Sequence, residues 1–232
     1  MINGKWLNSL LVMVVALITP ILIWFLLHTM ALSKTQSFDP NPQVQQLVEQ
    51  PQNIYRDGSL AQSGGIKSTT WVNLVGKDGN WFVKQKDNSL MPIESWRPHG
   101  SRIVLLLEAQ GPTLALHLHR YLKEKELSKK VFILSASDGL LKDLRFHDPN
   151  LTMSCGQAYI IRFHALHRLN LEGLMTINMS AIYLDPKLFS EEIQELTDFF
   201  VAHRVAVFIG PIATAQLPTF DAVKNKANIL LE

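Results

Sequence analysis

The residues best placed to do chemistry sit at the ends of two apolar runs. Arg102-Ile103-Val104-Leu105-Leu106-Leu107-Glu108 closes on a carboxylate, and Val131-Phe132-Ile133-Leu134-Ser135 closes on a small polar stretch reaching Asp138. Unbroken apolar runs of this length read as strands covered on both faces, as in a parallel sheet. In α/β folds ligands bind at the carboxyl ends of such strands, so Glu108 and the stretch Ser135 to Asp138 mark the rim where any chemistry takes place. The other constellations are weaker. On a helix, His117 and His119 point about 200° apart and cannot share one ion. His164 and His167 share a face and could hold zinc only with a third ligand from elsewhere; histidines in mixed helices are more often surface or satisfied core groups. Cys155 is the only cysteine, which excludes an intrachain disulfide and a cysteine zinc cluster and reads as a small core residue. No Ser-His-Asp spacing, phosphate loop or nucleophile elbow is present.

Between the two runs, Gly111-Pro112-Thr113 breaks the chain. Leu114, Leu118, Tyr121, Leu122 and Leu127 then recur at helical spacing, opposite a charged face from Arg120 to Glu126. Residues 101–136 therefore form a strand, helix, strand unit. Downstream, Asp138 can cap a helix through Phe146, Leu151–Cys155 is a short strand, and Gln157–Leu169 is a helix. Leu174–Leu184 is β-rich, Ser190 opens a helix through Phe200, Val205–Ile209 is a strand, Phe220–Lys226 a short helix and Ala227–Leu231 a last strand. Upstream, Asn53 starts a short strand, and two β-rich runs, Thr69–Val75 and Trp81–Val83, flank Asp78-Gly79 as a hairpin. Strands alternating with helices, without a dinucleotide glycine fingerprint, suit a barrel better than an open sheet.

Trp6 to Leu27 carries no charge, and about 20 apolar residues suffice to cross a hydrocarbon core of about 30 Å. Residues 6–28 read as a transmembrane helix. Lys5 precedes it, which assigns residues 1–5 to the cytoplasm and the remainder to the exported, periplasmic or extracellular side. A signal peptide cleaved near Thr29-Met30-Ala31 is the competing reading; the apolar run is longer than is usual for one, which favours the uncleaved anchor. Residues 29–52 read as a polar linker and 53–232 as one globular domain. The formal net charge of +2 gives no basis for nucleic-acid binding. The expected partner is the lipid bilayer.

From Arg102 onward the order of segments resembles the glycerophosphodiester phosphodiesterase family, a TIM-barrel group akin to the phosphatidylinositol-specific phospholipases C that hydrolyses glycerol phosphodiesters with a bound divalent cation. Leu105 to Gln110 is similar to the family's apolar strand ending Glu-x-Lys, and Val131 to Arg145 to its next strand, Ser-Phe-Asp turn and leucine-rich helix. Pro149-Asn150-Leu151 is similar to the opening of the following strand, Glu192 to Gly210 to the penultimate helix and strand, Ala227 to Glu232 to the closing strand, and Gly76-Lys77-Asp78-Gly79 to the Thr-Lys-Asp-Gly hairpin. Roughly 180 residues are covered, which implies an α/β fold, a reduced TIM (β/α)8-like barrel, preceded by one transmembrane helix.

The family's site carries over in part. Its His-Arg-Gly corresponds to Tyr55-Arg56-Asp57, its second-strand Glu-x-Asp to Thr70 and Val72, the His-Asp ending its hairpin to Lys86-Asp87, and its Glu-x-Lys to Glu108 and Gln110. The resemblance thus implies Arg56, Lys86 and Asp87 at catalytic positions and Glu108 as the one surviving metal-ligand position, with Gln110, Ser135 and Asp138 lining a substrate site. A hard divalent cation wants several oxygen ligands, usually including more than one carboxylate, and a lysine stays protonated unless its pKa is strongly lowered. The expectation is a degenerate, membrane-anchored phosphodiesterase-like domain with hydrolysis lost and no cofactor, binding a phospholipid or glycerophosphodiester or acting as a scaffold. The alternative is an active phosphoric diester hydrolase of lipid or glycerophosphodiester metabolism with an atypical site and bound calcium or magnesium. Convergence of Asp57, Asp87 and Asp138 on Glu108 would favour that alternative.

Overall fold

A computed structural model describes residues 4–32, 42–56, 69–98, 102–109, 112–175, 177 and 179–232. Asp57 and Gln110, two of the residues singled out above, lie outside that set. The chain divides into two compact units, residues 1–37 with 161–177, and residues 38–160 with 178–232.

The strands of the larger unit are β1 (Asn53–Arg56), β2 (Thr69–Lys77), β3 (Asn80–Lys84), β4 (Leu90–Pro92), β5 (Arg102–Glu108), β6 (Val131–Ser135), β7 (Thr152–Met153), β8 (Ala181–Leu184), β9 (Ala206–Ile212) and β10 (Asn228–Leu231). The helices of the chain are α1 (Gly4–Leu32), α2 (Pro42–Glu49), α3 (Pro112–Glu124), α4 (Asp138–His147), α5 (Gln157–His167) and α6 (Ile193–Ala202). Eight strands lie side by side in the order β7-β6-β5-β2-β1-β10-β9-β8, every neighbouring pair parallel. A single parallel bridge, Ser154 to Ala181, joins the two ends of that row. Chain order therefore runs around a nearly closed cylinder, the topology of a TIM-like barrel. The two remaining strands form the expected hairpin excursion: β3 returns antiparallel to β2, and β4 to β3. Asp78 and Gly79 join Lys77 to Asn80 with φ of 51° and 77°, the left-handed pair that a two-residue turn of matching twist demands.

The apolar runs make sense once both faces of each strand are followed. Ile54, Trp71, Val104, Leu106, Phe132 and Phe208 point into the cylinder, while Val72, Leu74, Ile103, Leu105, Leu107 and Ile133 pack outward, in one cluster with buried residues of α3 and α4. A strand buried on both sides shows no alternation, and each large side chain so buried contributes about 1.5–3 kcal/mol before entropy is counted. Trp71 is fully buried, and its indole N–H donates to the Leu231 carbonyl at 2.8 Å.

Several boundaries differ from the sequence reading. Within the stretch 29–52 read as a polar linker, α2 forms, and its Val44 and Leu47 are buried in the inner cluster of the barrel. Asn228 fixes α2 there by donating to the Leu47 carbonyl at 3.1 Å. Ser137, not Asp138, caps α4, its Oγ accepting from the Leu140 N–H. Between β9 and β10 the chain takes a 3-10 turn, Thr214–Phe220, in place of an α-helix over Phe220–Lys226. From β2 to β5 the hairpin and a short 3-10 turn, Ile93–Ser95, stand where a barrel helix would be. The barrel is reduced on that side.

In the smaller unit, α1 runs for 29 residues with Pro20 inside it. Ile21, Leu22 and Phe25 are each about 60% exposed, at 64, 60 and 59%. Trp24 and His28 stack with ring centroids 5.1 Å apart. The indole N–H of Trp24 donates to the Leu169 carbonyl at 3.1 Å, and His28 Nδ1 bonds the Asn170 carbonyl at 2.8 Å, which sets that imidazole nitrogen as a donor. Among the described residues, no helix is long and apolar enough to cross a membrane.

Candidate functional site

The inward alternation decides what the carboxyl mouth of the barrel contains. On β2 the inward residues are Trp71 and Asn73, set opposite Val104 and Leu106 of β5, and the next inward residue on β5 is Glu108. Asn73 Nδ2 donates to Glu108 Oε1 at 2.8 Å. Asn73 is only 4% exposed, and its Oδ1 has no hydrogen-bond partner among the described residues. Across the mouth, the Tyr183 hydroxyl of β8 donates to the Gly210 carbonyl at 2.6 Å. Burial pushes that phenol well above its ordinary pKa, and the nearby carboxylates of Asp185 and Glu108 add to the shift.

Arg56, at the end of β1, is 7% exposed and fully engaged. Its guanidinium lies 5.2 Å from the centre of the Trp71 ring, pairs with the Glu232 carboxylate at 3.4 Å, and donates to the carbonyls of Lys84 and, at 3.2 Å, Gln85. A charge buried this far needs such partners, and charge-assisted bonds of this kind are each worth about 1.5–3 kcal/mol. Arg56 therefore ties β1 to the end of β3.

Beside the mouth, against the hairpin, a cavity of about 290 Å³ is lined by Arg56, Trp71, Lys84, Gln85, Trp96 and Arg97, with Val72, Val83, Met91 and Ser95 completing its wall. Its lining carries three cationic side chains and, among the described residues, no carboxylate.

The solved structures that this barrel resembles include a protein assigned as a glycerophosphoryl diester phosphodiesterase from Silicibacter pomeroyi DSS-3, at TM-score 0.53 and 9% identity over 81% of this chain and 93% of that one. The fold is that of the glycerophosphodiester phosphodiesterases. Two further similar structures are a glycerophosphodiester phosphodiesterase from Parabacteroides distasonis ATCC 8503, at TM-score 0.49 and 10% identity over 78% and 93% of the two chains, and an Oleispira antarctica phosphodiesterase in complex with its product sn-glycerol-3-phosphate, at 0.48 and 13% over 78% and 92%. No protein-family model matches the sequence, and no curated protein matches it.

Within this phosphodiesterase-type barrel, the residues singled out in the sequence do not gather in one place. Glu108 lies at the mouth, bonded to Asn73. Arg56 lies at the rim, spent on Trp71, Glu232 and the hairpin. Lys86 and Asp87 follow the end of β3 in an exposed turn; the Asp87 carboxylate accepts from the Ser89 N–H and hydroxyl, which holds its pKa below the ordinary value. Ser135 Oγ donates to the Leu107 carbonyl at 3.2 Å and accepts from the Ser137 N–H at 3.1 Å. Asp138 accepts from the Ala158 N–H at 3.0 Å, at the start of α5. His167 stands 3.7 Å from the Glu172 carboxylate, and His117 3.2 Å from that of Glu94.

A divalent cation of the kind the fold family implies does not fit this donor set. Among the described residues no three His, Cys, Asp or Glu side chains come close enough to share an ion. Glu108 is the one carboxylate bonded to Asn73 at the mouth, and its Oε1 already accepts from the Asn73 amide. Hard cations take six or more oxygens.

Sequence reasoning missed Asn73, Tyr183, Glu232, Lys84 and Arg97. A signal existed for the first: Asn73 is the polar interruption in Trp71-Val72-Asn73-Leu74-Val75, and a buried amide inside a strand must be facing something. The contacts of Tyr183, Glu232 and Lys84 join segments remote in sequence and left no local trace, while Arg97 bonds only the turn that precedes it.

Proposed function

We propose that this chain is a membrane-anchored glycerophosphodiester phosphodiesterase-like barrel that has lost metal-dependent hydrolysis and works as a phosphoester-binding or scaffolding module at the bilayer. The observation that carries this reading is the Asn73–Glu108 hydrogen bond. Hydrolysis in this fold relies on carboxylates that share a cation; here the inward positions of β2 beside Glu108 hold an indole and an amide. An amide donor facing a carboxylate stabilises that carboxylate without recruiting a metal. No histidine is found among the mouth residues described above to protonate a leaving group, and Lys86 stands in an exposed turn.

The anchor is argued from the sequence of α1, uncharged from Trp6 to Leu27, and from the exposure of its apolar side chains. Trp24 and His28 stand near the end of that apolar run and bond the carbonyls of Leu169 and Asn170, as amphipathic rings do where a helix leaves the hydrocarbon. The charge bias of Lys5 puts the amino terminus in the cytoplasm and the barrel on the exported side. The test is turnover of glycerophosphocholine by the purified full chain with calcium or magnesium. We expect no cation-dependent release of glycerol 3-phosphate; turnover that a chelator abolishes would contradict the proposal.

A further inference from the structure

We propose that the phosphoester is held not on the barrel axis but in the flank cavity, its phosphoryl group between Lys84 and Arg97 and its organic part against the wall formed by Trp96, Val83 and Met91. This rests on the reading of the barrel as a phosphoester-binding module and names where and by what chemistry it binds.

The mouth is a poor anion site. Glu108, Asp185 and Glu232 gather negative charge there, and its polar groups face one another: Asn73 to Glu108, Arg56 to Glu232, Tyr183 to Gly210. Its one cation is already bonded on several sides. The flank cavity has the opposite balance. Lys84 lines it with no ion-pair partner among the described residues, and Arg97 spends only Nη1, on the carbonyls of Glu94 and Trp96 at 3.1 and 3.3 Å. Glu94, on the 3-10 turn just before Arg97, faces His117 at 3.2 Å. Arg56, which also lines the cavity, is already paired with Glu232, so Lys84 and Arg97 are the cations left for a ligand.

A guanidinium with free N–H groups and an ammonium together suit a phosphoryl oxygen set, the first by planar paired bonds and the second as a point charge. Trp96, Val72, Val83 and Met91 make the rest of the wall apolar, so the ligand carries carbon next to its anion. At about 290 Å³ the cavity stands at the lower limit of small-ligand sites, which run from about 300 to 1,000 Å³. A glycerol phosphate unit with the start of a chain is of this class. Such a unit can come from a lipid headgroup or from a soluble glycerophosphodiester.

The experiment is calorimetric titration of the full chain in neutral detergent with glycerol 3-phosphate, glycerophosphocholine and a short-chain lysophosphatidate. Saturable binding is expected that weakens about tenfold or more in Lys84→Gln/Arg97→Gln, weakens with salt, and stays within about twofold in Glu108→Gln. Both cationic side chains are partly exposed, and either single substitution is expected to weaken binding about threefold, so the test does not hang on the double variant folding. Tighter binding of the lysophosphatidate assigns the source to lipid, and equal binding to soluble esters; both support the site. Undiminished binding in the double variant, with loss in Glu108→Gln, would overturn the flank site and leave the binding module standing. Absence of saturable binding of any probe to the wild type would overturn both.

Discussion

Asn73 and Glu108 meet across β2 and β5 with the amide of one donating to the carboxylate of the other at 2.8 Å. The pair sits at the carboxyl mouth of the barrel, where the amide takes one oxygen of the Glu108 carboxylate. Asn73→Asp replaces that donor with a second negative charge at the same distance. We expect a loss of about 1–3 kcal/mol at neutral pH, read as a lower urea midpoint. Two carboxylates so close raise the folded pKa of the pair above its unfolded value, so the variant's deficit grows as pH rises through that range and narrows below about pH 5. A deficit that does not depend on pH would contradict the pairing.

Arg56 is the link between barrel and hairpin, stacked on Trp71 and bonded to Glu232 and to two carbonyls at the end of β3. Arg56→Ala is expected to cost about 2–4 kcal/mol, since it strands buried carbonyls and removes a stacked cation. Arg56→Lys recovers little, because an ammonium cannot reproduce the planar fork. Amide exchange should speed up in β3 and β4 before the rest of the barrel. Uniform exchange through the barrel would count against the tie.

High pH should loosen the larger unit. Burial pushes the Cys155 thiol up to about 12 from an ordinary 9.0, with the Asp138 carboxylate adding to the shift. Burial likewise lifts Tyr159 to about 12 from 10.0. The fold thus holds protons that the unfolded chain releases, and stability is present below the unfolded values and lost as pH climbs from about 9 toward 12. Urea midpoints measured across that range test this; Cys155→Ala should flatten the early part of the fall and Tyr159→Phe the later part. The same burial predicts slow alkylation of native Cys155 at pH 8.

The fold was more legible than the site, and β2 shows why. The unit from β5 to β6 could be read almost to the residue because Arg102 to Glu108 and Val131 to Ser135 are apolar throughout and end at clear breaks. That same burial on both faces hides which residues point inward. The resemblance therefore sets Thr70 and Val72 at the Glu-x-Asp positions of β2, whereas the inward residues of that strand are Trp71 and Asn73. Slipping by one residue exchanged outer packing for the mouth. The hairpin end suffered similarly: β3 stops at Lys84, so Lys86 and Asp87 fall in a turn and the cation near the cavity is Lys84. Helix α2 was missed because Gln and Pro dominate its composition, while only Val44 and Leu47 carry its buried face. Contacts such as Arg56 with Glu232 span 176 positions and have no local signature at all.

The most direct measurement is a calorimetric titration of the full chain with calcium and with magnesium, beside the Glu108→Gln variant. We expect no saturable cation binding by the wild type up to about 10 mM and identical traces for the variant, because among the described residues no further carboxylate joins Glu108, whose Oε1 accepts from Asn73. A saturable isotherm in the wild type that Glu108→Gln abolishes would contradict the account.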